Sequence, residues 1–174
     1  KTMVKEYLLK KTPNDYEKLC IYTYESLSYQ KGEKDIKLFG DRNPHYALFL
    51  SLLKKLFDNI KFIYIVRDYR DNVLSYKNVK FDMNNIYALA YRWLFFNRTI
   101  LKFKKKYPDS FLLIKYENVI LQPVDEIKNA CRFLDIDYED NMMEFYKKKS
   151  DNLFSWHTNI NVKLNPNNIN KWDS

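Results

Sequence analysis

The sequence predicts an α/β fold in which a mostly parallel sheet is flanked by helices. Two runs of strand length, residues 60–66 and 110–116, consist largely of apolar side chains, as strands buried on both faces of a parallel sheet do. A helical pattern over residues 84–107 lies between them. Because parallel strands need a crossover of helical length, this alternation favours an α/β layer fold.

The first stretch of the chain, residues 1–30, predicts two helices. Apolar residues recur there at near-helical spacing, and the second helix follows a start signal at Thr12-Pro13. After a polar turn, the partly alternating residues 36–39 predict a brief strand. A loop rich in turn-favouring residues follows, and helical spacing returns over residues 45–57.

Helices are also predicted after each of the two long strands. Asp68 can cap a helix that continues to about residue 79, and Pro123 opens one that runs to Phe133. A last helix is predicted over residues 140–149. The long central helix carries a core-facing stripe at helical spacing, formed by Ile86, Leu89, Trp93, Phe96, Ile100 and Phe103.

Size and charge limit the class of protein. A chain of 174 residues, 46% of them apolar, can bury the core of one domain. The formal net charge of +8 predicts a surface that attracts anions such as nucleotides, polyanions or acidic lipid headgroups, without choosing among them. Most aromatic residues lie at helical core spacing and no RNA- or DNA-binding motif is present, so nucleic acid is not expected as a partner.

The two cysteines, Cys20 and Cys131, lie far apart, without the paired spacing of a disulfide framework or a metal site. No metal is therefore expected. No apolar run approaches the roughly 20 residues that span a bilayer, so no membrane segment is expected in this part of the protein. Sparse cysteine and the lack of a visible signal favour the cytoplasm. The first residue is not Met, and a missing N-terminal segment could have carried an anchor or signal.

Arg67 and Tyr116 fall at the carboxyl ends of the two long strands, which is where the ligands of such sheets gather. Ser75 lies about 10 Å along the next helix at 1.5 Å per residue, a distance that only a long side chain such as arginine can bridge to a shared ligand. A guanidinium and a hydroxyl can clamp one phosphate. A plainer interpretation is that Arg67 pairs with Asp68 or Asp71 and that Ser75 is an incidental surface residue.

The run IYIVRDYRDNVLSY, residues 63–76, resembles a segment of sulfotransferases that use 3'-phosphoadenosine 5'-phosphosulfate (PAPS). In that segment a strand ends in Arg, a Pro-Arg-Asp-like turn follows, and a Ser comes eight residues after the Arg. The resemblance implies that Arg67 and Ser75 bind the 3'-phosphate of the nucleotide. Tyr69 stands where many members carry Pro, which should alter the stiffness of the turn more than the chemistry.

Two flanking stretches extend the resemblance. LLIKYENVILQPVDEIKNACRFLDIDY is similar to the family's second strand, Tyr-Glu-Asp-like turn and Pro-led helix, with Asn118 in place of the Asp. This similarity implies that Tyr116 lies beside the adenine, although an ordinary core tyrosine at a strand end is the simpler interpretation. The final run SWHTNINVKLNPNNINKW faintly resembles the family's C-terminal segment, which ends in Ile-x-x-Trp.

The loop GDRNPHY, residues 40–46, resembles a loop of glycan sulfotransferases. The resemblance implies that Asp41 is the general base and Arg42 the cation that helps to hold the sulfuryl group, with His45 as a rival base. An acceptor hydroxyl must lose a proton, and charge on the transferring group needs positioned cations. A simple turn and helix cap would look the same, and His45 would then be a surface residue.

The resemblance covers residues 36–172 and implies a sulfotransferase fold of the P-loop NTPase-like class. We expect a single domain over 1–174, with a helical region at 1–35. The family's N-terminal loop for the 5'-phosphosulfate is not recognisable, since Gly32 and Gly40 are the two glycines and neither opens a helix after a buried strand. We therefore expect an N-terminally incomplete sulfotransferase rather than a degenerate relative.

The activity implied by the resemblance is transfer of a sulfuryl group from PAPS to a hydroxyl or amine of an acceptor, without a metal. The GDRNPHY loop favours a saccharide as that acceptor. The alternative is an inactive sulfotransferase-like module that binds a nucleotide or a polyanion. The oligomeric state is not determined by the sequence.

Overall fold

The computed structural model describes four stretches of the chain: residues 2–30, 38–77, 85–147 and 162–173. The chain divides into two compact units, Lys1–Ile60 and Lys61–Ser174. The single domain expected from the sequence stays a prediction.

The N-terminal unit contains the two predicted helices, α1 (Thr2–Lys11) and α2 (Tyr16–Gln30). Thr12 ends α1 with a left-handed backbone, φ 44°, and Pro13 cannot donate a hydrogen bond to continue the helix. The side chain of Asp15 accepts the backbone N–H of Lys18 at 2.7 Å, as an N-cap does. The helix-ending and helix-capping residues at positions 12–15 therefore account for the break between α1 and α2.

The rest of this unit differs from two predictions. Leu38 and Phe39 are not in a strand, and the other half of the predicted strand lies outside the described residues. The single helix expected from His45 is instead a 3₁₀ turn, Pro44–Leu48, followed by α3 (Leu50–Leu56). The cap by Asn43 and the fixed φ of Pro44 start a tight turn, and the α-helix begins only after it.

The C-terminal unit contains two parallel strands, β1 (Phe62–Val66) and β2 (Phe111–Lys115). Its helices are α4 (Tyr69–Lys77), α5 (Ile86–Lys106), α6 (Tyr116–Leu121) and α7 (Pro123–Leu134). Four 3₁₀ segments complete the described part: Pro108–Ser110, Asp140–Lys147, Pro166–Asn168 and Lys171–Asp173. Parallel strands flanked by helices confirm the α/β class.

Most predicted bounds in this unit agree with the structure within two residues. The short helix α6 was not predicted. The last predicted helix is a 3₁₀ segment over its described part, and its predicted end, residues 148–149, lies outside the described ranges. The predicted end of α4, residues 78–79, lies outside them too.

None of the helices in the described stretches combines the length and apolar character that a membrane span needs.

One face of β1 packs against α5. Phe62 contacts Phe103 with ring centroids 5.2 Å apart, and the hydroxyl of Tyr64 donates to Asn97 at 2.9 Å. Successive side chains of a strand point to opposite faces, so Ile63 and Ile65 lie on the other face. They are 40% and 53% exposed. The prediction that this strand is buried on both faces is therefore wrong for the described part of the chain.

The stripe predicted for α5 is largely confirmed. Leu89, Ile100 and Phe103 are buried, and Trp93 and Phe96 are half-buried. Ile86, the first residue of the helix, is 48% exposed. The core of this unit thus lies between α5 and the sheet, which leaves the carboxyl ends of the strands accessible for a site.

Candidate functional site

Arg67 and Tyr116 lie side by side at the carboxyl edge of the sheet. Val66 pairs with Lys115 in the last register position of the parallel ladder, so the residues that follow them leave adjacent strands at the same edge. The guanidinium carbon of Arg67 lies 4.8 Å from the ring centroid of Tyr116, a cation–π contact. The structure therefore brings together two of the residues that the sequence selected.

The guanidinium of Arg67 is partly satisfied by the protein. Its Nη2 donates to the backbone carbonyl of Asn168 at 2.6 Å and lies 3.7 Å from the carboxylate of Asp71. Its Nε is buried and has no hydrogen-bond partner among the described residues. An unpaired buried donor costs about 1–3 kcal/mol. A phosphate oxygen is a suitable acceptor for it, so this arginine fits the anionic group that the resemblance implies.

Asp71 is the most buried polar residue of this region, with 1% of its surface exposed. Its carboxylate accepts the backbone N–H groups of Asn170 at 2.8 Å and Trp172 at 3.2 Å. The ion pair between Arg67 and Asp71 is the plainer interpretation that the sequence left open, and it is present. At 3.7 Å it is longer than a hydrogen bond and involves Nη2, which donates to Asn168, so it does not use the Nε donor.

Ser75 lies on α4, two turns beyond Arg67, and its side chain is exposed. Its hydroxyl is accessible to a ligand, but the structure does not bring it into contact with Arg67. The shared phosphate clamp of Arg67 and Ser75 stays a prediction.

The turn between β1 and α4 is held by a second arginine. Arg70 donates to the carboxylate of Asp68 through Nε at 2.9 Å and Nη2 at 2.7 Å, which holds the pKa of Asp68 below its ordinary value. The backbone N–H of Asp68 donates to Glu117 at 2.9 Å, and the indole of Trp93 donates to the carbonyl of Arg67 at 3.1 Å. These bonds fix the backbone at the position where Arg67 leaves the strand.

Asp41 lies in the other unit, in the loop before the 3₁₀ turn. Its carboxylate accepts the hydroxyl of Tyr46 and the backbone N–H of Arg42, the latter at 2.7 Å. The Tyr46 hydrogen bond is the main reason that the pKa of Asp41 is lowered, and it raises the pKa of Tyr46 to about 12. A carboxylate stabilised in this way is ionised at neutral pH and is a weaker base than a free one.

His45 and Arg42 are both exposed. Nδ1 of His45 lies 3.2 Å from Oδ1 of Asn43, and the same oxygen accepts the backbone N–H of His45 at 2.9 Å. The loop is therefore built as a helix cap, which is the simple interpretation of GDRNPHY. That structure does not conflict with a catalytic use of Arg42 and His45, whose side chains reach solvent.

The site residues predicted from the sequence lie in both units. Asp41, Arg42 and His45 belong to Lys1–Ile60, and Arg67, Ser75 and Tyr116 belong to Lys61–Ser174. No group of three or more His, Cys, Asp and Glu suited to a metal ion is found within the described stretches.

Sequence reasoning missed the residues that surround Arg67. These are Glu117, Trp93, Asn168, Asn170 and Trp172, and it treated Asp71 only as a possible ion-pair partner. The one signal available was the Ile-x-x-Trp ending, which places Trp172 in a segment similar to the family's C-terminal part.

Comparison with known proteins identifies the family. The model of a sulfotransferase family matches residues 4–140 of the chain. This match begins earlier in the chain than the resemblance found in the sequence, which covers residues 36–172. Candidate protein-tyrosine sulfotransferases of Caenorhabditis briggsae and Caenorhabditis elegans are each 26% identical, over 62% and 59% of this chain. The chain spans 40% and 42% of the lengths of these two relatives.

Two solved structures share the fold. The sulfotransferase domain of the Synechococcus PCC 7002 olefin synthase superposes with a TM-score of 0.72 and 26% identity, over 91% of this chain and 56% of that one. The sulfotransferase domain from the curacin biosynthetic pathway gives a TM-score of 0.55 at 22% identity, over 82% of this chain and 57% of that one. The sulfotransferase fold implied by the sequence is thus confirmed. The chain belongs to the sulfotransferase family.

Proposed function

We propose that the protein is a sulfotransferase that transfers a sulfuryl group from PAPS to a hydroxyl or amine of an acceptor, and that Arg67 binds the 3'-phosphate of the nucleotide. One observation carries the proposal. A partly exposed arginine at the carboxyl edge of a parallel sheet keeps one buried donor, Nε, without a partner in the described part of the chain. This is where nucleotide ligands of such sheets bind.

The residues next to Arg67 support a nucleotide rather than a free anion. The ring of Tyr116 packs on the guanidinium and follows the neighbouring strand, so an adenine bound at this edge would lie near the tyrosine. The exposed hydroxyl of Ser75 can donate a further hydrogen bond to the phosphate. A nucleoside bisphosphate satisfies all three groups, whereas inorganic phosphate needs only Arg67 and Ser75.

The acceptor side of the reaction is assigned to the GDRNPHY loop. Sulfuryl transfer forms a bond between the acceptor oxygen and sulfur and breaks the bond between sulfur and the 5'-phosphate oxygen of PAPS, so that adenosine 3',5'-bisphosphate leaves. The acceptor hydroxyl loses its proton to a base. Asp41 and His45 are the two candidates, and Arg42 supplies positive charge for the transferring group. The hydrogen bond from Tyr46 lowers the pKa of Asp41 and so weakens it as a base. We therefore expect His45→Ala to lower kcat more than Asp41→Asn does.

Two kinds of hydroxyl acceptor are candidates. The loop favours a saccharide, whereas the similarity to candidate protein-tyrosine sulfotransferases points to a tyrosine side chain. Transfer from labelled PAPS to a saccharide and to a tyrosine peptide, measured side by side, decides between them.

Isothermal titration with adenosine 3',5'-bisphosphate tests the nucleotide assignment. Loss of a hydrogen bond to a charged group costs about 1.5–3 kcal/mol, so Arg67→Ala should raise Kd about 10- to 150-fold. Arg98→Ala, which removes an exposed arginine of α5, is the matched control and should leave Kd unchanged.

Two results would contradict the proposal: absence of binding by the wild-type protein, and equal affinity of the wild type and Arg67→Ala. Salt-sensitive binding of heparin that persists in Arg67→Ala, without nucleotide binding, would instead support the inactive polyanion-binding module.

A further inference from the structure

A short C-terminal segment lies on the turn between β1 and α4. We call residues 168–172 the strap. It includes the end of one 3₁₀ segment and the start of another, and it contacts α4 residues that are about a hundred positions earlier in the chain. Three contacts hold this distant segment against the turn, with Asp71, Arg70 and Arg67.

The first contact is with Asp71. The carboxylate is completely buried and accepts two backbone N–H groups of the strap, Asn170 at Oδ2 and Trp172 at Oδ1. Asn170 has a left-handed backbone, φ 57°, a conformation that asparagine tolerates better than most residues. The strap backbone is thus shaped to bring two donors to one carboxylate.

The second contact is with Arg70. Its guanidinium carbon lies 3.4 Å from the ring centroid of Trp172, which is a close stacking contact. The same guanidinium is held from its edge by the carboxylate of Asp68. Because Arg70 is fixed by Asp68, it offers Trp172 a rigid surface.

The third contact is with Arg67. The strap carbonyl of Asn168 accepts Nη2 at 2.6 Å, the carboxylate of Asp71 lies 3.7 Å from the same nitrogen, and the ring of Tyr116 covers one face. These three groups determine the plane of the guanidinium and occupy Nη2. Nε is the donor left buried without a partner among the described residues.

We propose that the strap, anchored by Asp71 and Trp172, positions Arg67 so that its Nε is held ready for the 3'-phosphate of the nucleotide. The inference rests on the proposed function and adds two positioning residues to it. A donor held in place before the ligand arrives loses less conformational entropy on binding. Strap contacts therefore raise nucleotide affinity although neither anchor is assigned a contact with the phosphate.

The test compares adenosine 3',5'-bisphosphate with adenosine 5'-monophosphate, which lacks the 3'-phosphate, by isothermal titration. Asp71→Asn and Trp172→Ala should each raise Kd for the bisphosphate about 5- to 20-fold, with little change for the monophosphate. Trp172→Phe keeps a ring on Arg70 and should restore most of the affinity. A general loss of structure would weaken both ligands alike, so the comparison separates positioning from stability.

A double variant provides the second readout. In the Arg67→Ala background, Trp172→Ala should have no further effect on Kd, because the group that it positions is gone. Trp172→Ala leaves the backbone donors to Asp71 in place, so it remains informative if Asp71→Asn does not fold.

The outcomes distinguish the two proposals. If the wild type binds the bisphosphate, Arg67→Ala weakens it and the strap variants bind like the wild type, the strap proposal alone is overturned. Additive losses in the double variant overturn it as well. Absence of wild-type binding overturns the proposed function and the positioning role together.

Discussion

Replacement of Asp71 by alanine would show how firmly the strap is held in the folded protein. The side chain is completely buried, and its two oxygens accept the N–H groups of Asn170 and Trp172 at 2.8 and 3.2 Å. Alanine removes both acceptors and the negative charge beside Arg67. The structure therefore predicts two orphaned backbone donors in the strap.

The magnitude follows from these two donors. A buried donor without a partner costs about 1–3 kcal/mol, so two would cost about 2–6 kcal/mol if the strap stayed in place. The strap can avoid most of that cost by leaving the surface, because Asn170 is exposed and water would then hydrate both amides. The loss is limited to the free energy that docks the strap, and we expect the free energy of unfolding to fall by about 2–3 kcal/mol.

Hydrogen exchange measures the release of the strap directly. A docking free energy of about 2–3 kcal/mol corresponds to roughly 30- to 150-fold faster exchange once it is lost. In Asp71→Ala, the amides of Asn170 and Trp172 should therefore exchange faster by that factor, and urea unfolding should report the same loss. Asp137→Ala, which removes an exposed carboxylate, is the control and should change neither measurement.

One result would refute the reasoning. If both amides exchange in Asp71→Ala at the wild-type rate and stability changes by less than about 0.5 kcal/mol, then Asp71 does not hold the strap. The positioning role inferred for it would lose its basis.

Two further predictions concern pH and burial. The hydrogen bond to Asp41 raises the pKa of Tyr46 to about 12, so its contribution to stability is complete below the ordinary tyrosine pKa of about 10 and is lost as the pH rises towards 12. Since the same bond lowers the pKa of Asp41, Tyr46→Phe should raise that pKa in an NMR titration of the carboxyl carbon, and an unchanged value would contradict the assignment. Ile114 is 4% exposed, so Ile114→Ala should cost about 2–5 kcal/mol in urea unfolding. Ile65→Ala on the half-exposed face should cost less than about 1 kcal/mol, and equal losses would show that this face is covered.

The elements with strong periodicity were predictable because their signals are local. The stripe of α5 and the apolar runs of β1 and β2 are set by the side chains of each segment. The exposure of Ile63 and Ile65 was not predictable. Apolar side chains show that a face of a strand can be buried, but they do not show whether another element packs against that face. The tight turn that begins at Pro44 and the helix α3 were predicted as one helix, because the helical spacing of apolar residues continues from the turn into α3.

The candidate site also has a part that the sequence predicted and a part that it did not. The sequence placed Arg67 and Tyr116 at the carboxyl ends of two strands of a mostly parallel sheet. That these strands are neighbours and that the two side chains are in contact was decided by the tertiary structure. The roles of Asp41, Arg42 and His45 came from the resemblance, and that of Ser75 from helix geometry together with the resemblance. All four stay predictions.

By itself the sequence determined the α/β class, the strand ends that carry Arg67 and Tyr116, and the similarity to sulfotransferases, because local patterns and a contiguous motif encode all three. The tertiary structure alone decided which buried donor of Arg67 has no partner among the described residues and what holds its guanidinium. Asn168 and Trp172 lie about a hundred residues beyond their partners Arg67 and Asp71. Contacts over that separation depend on the path of the whole chain, and no local pattern records them.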